Sequence, residues 1–196
     1  MNLIIGVAAK NMVLTDWVRS LLEWNGNRCR IVWGMGNRLD VDRSLVIGEM
    51  KTKYRDYALV FIDTDVMPLV PIEECFRYAS SAWAHGYDVS TAPVVSPEGK
   101  VFMERRPGME SDGNVFDVLH SHMGFTWLSR RIVREIVPGH EMILQDGRKV
   151  PLYFWNTPED SEDYNFYEQW VVKGKYRACV DMRMRVAHLK PIPIGI

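Results

Sequence analysis

The chain has 196 residues, 47% of them hydrophobic and 25% charged, with 24 Lys and Arg against 25 Asp and Glu for a formal net charge of −1. That length is enough for one domain with a sizeable core, and a charge balance this close to zero excludes a general electrostatic grip on nucleic acid. No apolar run approaches the span of a bilayer, and three dispersed cysteines, Cys29, Cys75 and Cys179, lack metal spacing and fit reduced thiols in an intracellular compartment.

Residues 3–9 are a short apolar run followed by Lys10, with no basic leader and no small-residue cleavage site, so they are expected to form a first strand rather than a signal peptide. Val13, Trp17, Leu21 and Trp24 recur at helical spacing, and Asn25-Gly26-Asn27 ends that helix. Residues 29–33 make a second short strand, residues 34–37 a turn, and residues 40–54 a second helix, with Asp40-Val41-Asp42 placed to cap it. Residues 58–62 are five consecutive apolar side chains that stop on Asp63-Thr64-Asp65. An apolar run without alternation is what a strand covered on both faces needs. Pro68 and Pro71 break it before a helix over residues 72–85. Strand, helix, strand, helix, strand implies parallel strands joined by right-handed crossovers.

The second half changes character. Residues 88–95 and 100–104 are strand candidates joined by the turn sequence Ser96-Pro97-Glu98-Gly99, which makes the sheet mixed. Residues 106–114 contain Pro107, Gly108, Asp112 and Gly113 and little that could enter a core, so a mobile surface loop is expected there, of the kind that acts as a lid. Residues 115–122 lead into Met123-Gly124-Phe125, then Arg130-Arg131 and a helix through residue 136. Residues 151–155 are an aromatic strand candidate. Thr157-Pro158-Glu159-Asp160 has the form of a helix start, and Gly174 stops that helix. Residues 176–186 are strand-like, and His188 follows.

Asp63 and Asp65 stand where a strand of an open α/β sheet ends, which is where such sheets bind ligands. Two carboxylates there can hold a hard divalent cation such as Mn²⁺ or Mg²⁺, which in turn would neutralise a pyrophosphate. A solvated turn closing the strand is the competing reading. Glu162 and Asp163 fall in a first helical turn, where the helix dipole favours acids in any case, beside Tyr164, Phe166, Tyr167 and Trp170. Trp127, Tyr153 and Trp155 are either core aromatics or platforms for the C–H faces of sugar rings. His120-Ser121-His122 would put two imidazoles on one strand face, as zinc ligands could be, but no companion Cys or His pair stands near them.

Taken in order, the alternating α/β half ending in Asp63-Thr64-Asp65, the Met123-Gly124-Phe125 segment followed by Arg130-Arg131, the Glu162-Asp163 pair and the late His188 resemble the nucleotide-sugar-dependent glycosyltransferases of the GT-A fold. The chain is similar in particular to very compact members, such as short enzymes encoded by archaeal viruses. The resemblance implies one GT-A-like (Rossmann-like) α/β domain with a central mixed, mainly parallel sheet flanked by helices. Residues 1–105 would form the nucleotide-sugar half and residues 106–196 the acceptor half. It implies a metal-dependent transfer of sugar from a UDP- or GDP-sugar to a hydroxyl of a glycan, protein or lipid, with Mn²⁺ or Mg²⁺ as cofactor. Asp65 would be the direct metal ligand, Asp63 would reach the metal through water or bind the ribose, and His188 would complete the shell. Asp163 would be the general base of an inverting reaction, and Glu162 would hold the acceptor or orient its neighbours.

At the nucleotide end, Ala8, Ala9, Lys10 and Asn11 would approach the base and ribose. Asn37 stands where many members carry an acidic residue. No nucleic-acid partner and no transmembrane segment are expected, and the location implied is cytoplasmic, in the host if the protein is viral. A sugar-phosphate nucleotidyltransferase is a rival reading, although such enzymes open on a glycine- and arginine-rich loop that Ala8-Ala9-Lys10-Asn11 is not. A non-catalytic glycan-binding or virion-associated module is another, opposed by the joint presence of Asp63, Asp65, Asp163 and His188.

Overall fold

The computed structural model describes residues 3–8, 15–26, 29–34, 38–95, 100–109, 113–144 and 146–188. Strands β1 (Leu3–Ala8), β2 (Arg30–Gly34) and β3 (Ala58–Asp63) pair in parallel in the order β2-β1-β3, with Leu3 opposite Ala58 and Ala8 opposite Asp63. The helices α1 (Thr15–Asn25) and α2 (Leu39–Lys53) make the crossovers. Successive side chains of a strand face opposite sides of a sheet. Leu59 and Phe61 therefore enter one core layer with Val46, Ile47 and Met50 of α2. Val60 and Ile62 enter a second layer with Leu21 of α1 and with Ile72, Cys75 and Ala79 of α3 (Ile72–Ala84). These two apolar layers are why β3 shows no alternation.

Beyond β3 the sheet becomes mixed. Strand β8 (Phe125–Leu128) runs antiparallel to both β3 and β5 (Val89–Thr91), and β11 (Ala178–Asp181) is parallel to β5. Strands β7 (Val115–Ser121) and β6 (Met103–Arg105) follow antiparallel, giving eight strands in the order β2-β1-β3-β8-β5-β11-β7-β6. Two short antiparallel pairs stand outside this sheet: β9 (His140–Ile143) with β10 (Lys149–Leu152), and β4 (Val66–Pro68) with β12 (Val186–His188). Helix α4 (Arg130–Glu135) follows β8, and α5 (Glu162–Tyr167) continues into a π-helical turn, Glu168–Val172. Among the described residues, no helix is long and apolar enough to cross a membrane.

Several expectations are corrected. Pro68 does not end the extended run. It closes β4 opposite Val186, in a two-stranded ribbon where its missing N–H is tolerated. Asp40 is no N-cap, because α2 is entered through Arg38; Asp40 instead accepts from Arg38 Nε at 3.1 Å and from the Val41 amide at 2.9 Å. Thr157 caps only a local turn, accepting from the Asp160 amide at 2.9 Å, and the helix starts after Ser161, whose hydroxyl accepts from the Tyr164 amide. Gly174 does follow the end of the helical run, where a Cβ would come within 2.2 Å of the Trp170 carbonyl oxygen. Glu110, Ser111 and Asp112 of the expected lid lie outside the described residues, and the neighbouring Arg106 is anchored, its Nε donating to Asp117 Oδ1 at 2.9 Å.

Gly34 ends β2 against the first turn of α2, and a Cβ there would fall 2.2 Å from the Asp42 carbonyl oxygen. Backbone cannot rotate away as a side chain can. Gly34→Ala is therefore expected to lower stability by about 1–3 kcal/mol, read as a lower urea midpoint at unchanged slope. An unchanged midpoint would show that the β2–α2 junction has room to spare.

Candidate active site

The helical spacing that places Val46, Ile47 and Met50 in the core places Arg43 on the same face of α2, and its side chain is completely buried. A guanidinium out of water must be paired and hydrogen-bonded. Arg43 Nη2 donates to both carboxylate oxygens of Asp63 at 3.0 Å, and Nη1 donates to Glu162 Oε1 at 3.2 Å and to Asp163 Oδ1. The plane lies above Phe154, 5.9 Å from its ring centre, and Phe154 stacks on Phe166 at 4.6 Å. Ser44, next along the helix, accepts from the amides of Tyr153 and Phe154 at 3.0 and 3.1 Å and so holds that floor in place.

The three carboxylates arrive from distant elements. Asp63 ends β3, and its amide donates to the Gly124 carbonyl at 2.8 Å, which joins the strand end to the turn before β8. Glu162 and Asp163 open α5, with the Glu162 amide donating to Asn156 Oδ1 at 3.0 Å. Asp163 Oδ2 accepts from the Met123 amide at 3.1 Å, and His122 Nδ1 lies 3.6 Å from the same oxygen. His122 is fixed through its carbonyl, which accepts from the Thr91 hydroxyl at 2.9 Å.

Three carboxylates around one guanidinium leave an excess of negative charge, and their environments separate them. Burial would push Asp163 up, but Arg43, the His122 imidazole and the Met123 amide outweigh it and hold its carboxyl below the usual range. Asp63 is pushed up by burial against the pull of Arg43, with Asp163 and Asp65 adding to the rise. Burial and Asp163 likewise raise Glu162. Arg43 stays protonated, since the attraction of Asp163, Asp63 and Glu162 exceeds the cost of its burial. His122 is raised, chiefly by Asp163. Asp163 is thus the carboxylate kept ionised, while Asp63 and Glu162 are the ones a proton or a cation would relieve.

The structure brings Asp63, Glu162 and Asp163 together. Asp65 is exposed on the turn that follows Asp63, and the His188 backbone pairs with Val66, next to that turn. The side chains of Ala8 and His188, and all of Ala9, Lys10, Asn11 and Asn37, lie outside the described residues. Among the described residues, no three His, Cys, Asp or Glu stand together as a metal-holding group. Arg130 and Arg131 follow Leu128, which is opposite Leu59 near the start of β3, so they lie toward the other end of the sheet, where Arg131 meets Asp88 at 3.3 Å. Trp127 and Tyr153 are core residues, and Trp155 packs edge-on against His140. His120 and His122 do not share a ligand: His120 Nδ1 pairs with Glu104 Oε2 at 2.8 Å, and His122 turns to Asp163. Arg43 is a site residue that the sequence reading missed, and His122 was weighed there only as a zinc ligand beside His120, not as the partner of Asp163. The signal available for Arg43 was an arginine three, four and seven residues before buried apolar positions of one helix.

No family model matches the sequence, and no curated protein does. Among solved structures the chain is similar to A197 from STIV, at 17% identity and a TM-score of 0.62, covering 100% of this chain and 98% of that one. It is also similar to a glycosyltransferase involved in the glycosylation of the major capsid of PBCV-1, at 12% identity and a TM-score of 0.50, covering 93% of this chain and 83% of that one. Identities this low carry the fold alone: a Rossmann-like α/β domain of GT-A type.

Removing Arg43 leaves three buried or half-buried carboxylates without their cation. Arg43→Met is expected to cost about 3–5 kcal/mol at neutral pH. Without the guanidinium, Asp63 and Glu162 rise further above their unfolded values and Asp163 loses the attraction that holds it low, and groups raised in the folded state add stability that is present at low pH and lost as pH rises. The deficit should therefore shrink when urea titrations at pH 7.5 are repeated at pH 5. An equal deficit at both pH values would mean that Arg43 contributes packing and not charge.

Proposed function

We propose that this chain is a divalent-metal-dependent glycosyltransferase that moves a sugar from a nucleoside diphosphate to an acceptor hydroxyl with inversion. The observation that carries the reading is the meeting of Asp163 and Asp63 on one buried guanidinium at the carboxyl end of the parallel strands, the ligand-binding end of an open α/β sheet. Residues 1–105 are assigned to the donor half and residues 106–196 to the acceptor half, with Phe102 and Glu104 of the first half reaching the cavity beside Asp163. Base and ribose contacts are assigned to Ala8, Ala9, Lys10 and Asn11, with Asn37 after β2. The pairing of Ala8 with both Gly34 and Asp63 supports this, since it brings three strand ends to one crevice.

Mn²⁺ or Mg²⁺ is assigned to Asp65 directly, to Asp63 through water or the ribose, and to His188. Two observations support the fit: Asp65 is exposed immediately beyond Asp63, and the carboxylates around Arg43 outnumber it, which leaves a field that favours a hard cation. When bound, such a cation neutralises the departing diphosphate. Asp163 does the proton work. The acceptor oxygen bonds to the anomeric carbon, the bond to the diphosphate breaks with its electron pair going to the diphosphate, and the hydroxyl proton passes to a carboxylate oxygen of Asp163. A carboxylate held this low takes the proton late, after bond formation has made the hydroxyl acidic. Glu162 orients this pair through Arg43.

Incubation with UDP- and GDP-sugars and Mn²⁺ is expected to release nucleoside diphosphate slowly. Pyrophosphate chemistry instead would identify a nucleotidyltransferase, and metal-independent glycan binding without release a module. Asp65→Ala should abolish the metal dependence of nucleotide affinity in a folded protein. Asp163→Asn should keep sugar-nucleotide affinity and lose about a hundred to ten thousand fold in transfer; transfer within about twofold of wild type would exclude Asp163 as the base.

Transfer should also depend on pH through His122. Protonated, it holds Asp163 low. As pH rises through an imidazole pKa raised above 6.5, that positive partner is lost and Asp163 becomes a stronger base, so kcat/KM should climb. The climb should disappear in His122→Gln, and a profile that is the same with and without His122 would count against the coupling.

A further inference from the structure

Asp163 lines a cavity of about 210 Å³ together with Phe102 and Tyr164. These two rings are 47% and 41% exposed, although apolar rings gain by burial. Tyr164 is not loose: one of its faces is covered by the His120 imidazole, stacked at 4.3 Å with the planes 1° apart, and His120 is held by Glu104. Phe102 meets the edge of His122 at 5.0 Å. Two aromatic side chains thus share a cavity with the carboxylate assigned as base, and Ser121, Ser161 and Glu104 are also among its lining residues.

The chemistry of the walls selects the occupant. Neither Lys nor Arg is among the lining residues, whereas Glu104, Asp163, His120 and His122 are, so an acceptor carrying phosphate would find no permanent cation to pair with. The volume falls below the roughly 300–1,000 Å³ of pockets for drug-sized ligands and suits a single ring. A neutral sugar combines an apolar C–H face with a rim of hydroxyls, matching an aromatic wall edged by hydroxyl and carboxylate groups. We propose that the acceptor is a carbohydrate, held against Tyr164 and Phe102 with one of its hydroxyls presented to Asp163. This rests on the transferase reading of Asp163 for its catalytic meaning, but the binding site stands on its own geometry.

The test is saturation-transfer NMR on the full chain with methyl α-glucoside, methyl α-mannoside and methyl α-galactoside, using octanol and N-acetylserine amide as comparators. At least one glycoside is expected to bind through its ring protons. Its affinity should weaken by about three- to tenfold in Tyr164→Ala and in Phe102→Ala and be retained in Tyr164→Phe, which keeps the ring and the fold. Absence of glycoside binding, a preference for octanol or the serine amide, or binding unchanged in both alanine variants would each overturn the proposal. Donor hydrolysis by the wild-type chain separates the two readings. Glycoside binding without release of nucleoside diphosphate from any sugar nucleotide leaves the carbohydrate site and removes the transferase; release without glycoside binding does the reverse.

Discussion

A single buried cation organises this molecule. Arg43 has no exposed surface, and a guanidinium in that position is tolerated only with charge and hydrogen bonds around it. The requirement draws β3 and the start of α5 to one point under α2. It also explains the flat aromatic floor, since Phe154 and Phe166 beneath Arg43 exclude water while leaving its donor edge free for the carboxylates. The same contact that completes the core therefore assembles the site, and fold stability and site geometry are coupled through one residue.

The arrangement also sorts carboxylates that share a neighbourhood. Asp163 has Arg43, His122 and the Met123 amide as partners and stays ionised, whereas Asp63 and Glu162 share the same guanidinium with fewer compensations and are raised. Environments that push proton affinities apart are how one pocket comes to hold both an ionised carboxylate and carboxyls that a proton or a cation would relieve. The solved structures that resemble this chain speak for the backbone on which this is built. The chemistry rests on the named side chains.

Asymmetry between the two core layers matters as well. The layer under α2 contains Phe154, Phe166 and Tyr167 beside the site, and the opposite layer is closed by α1 and α3 without any of the site's carboxylates. Cations elsewhere serve architecture: Lys51 donates to the carbonyls of Val133, Arg134 and Ile136, satisfying the end of α4, and Arg106 and Arg177 share buried Asp117.

What the sequence determined by itself was local and periodic. Five apolar residues before Asp63 announced a strand buried on both faces, helical spacing marked α1, and the strand end pointed to Asp63 and Asp65, whereas Glu162 and Asp163 gained roles only through the resemblance of the ordered motifs. Features decided by long-range pairing were not legible. Arg43 meets its partners 20, 119 and 120 residues away, and nothing in a one-dimensional pattern distinguishes it from a surface arginine except its place on an apolar helix face. Trp127, Tyr153 and Trp155 read as the candidate platforms for a sugar, yet packing buried the first two, and Tyr164, which was not among those candidates, stands at the cavity. His120 and His122 looked like a pair, but neighbouring elements gave them separate acids. Periodicity is written in the chain because it follows from backbone geometry; the partner of a charge is chosen only when distant elements pack, because that choice belongs to whichever groups lose their water together.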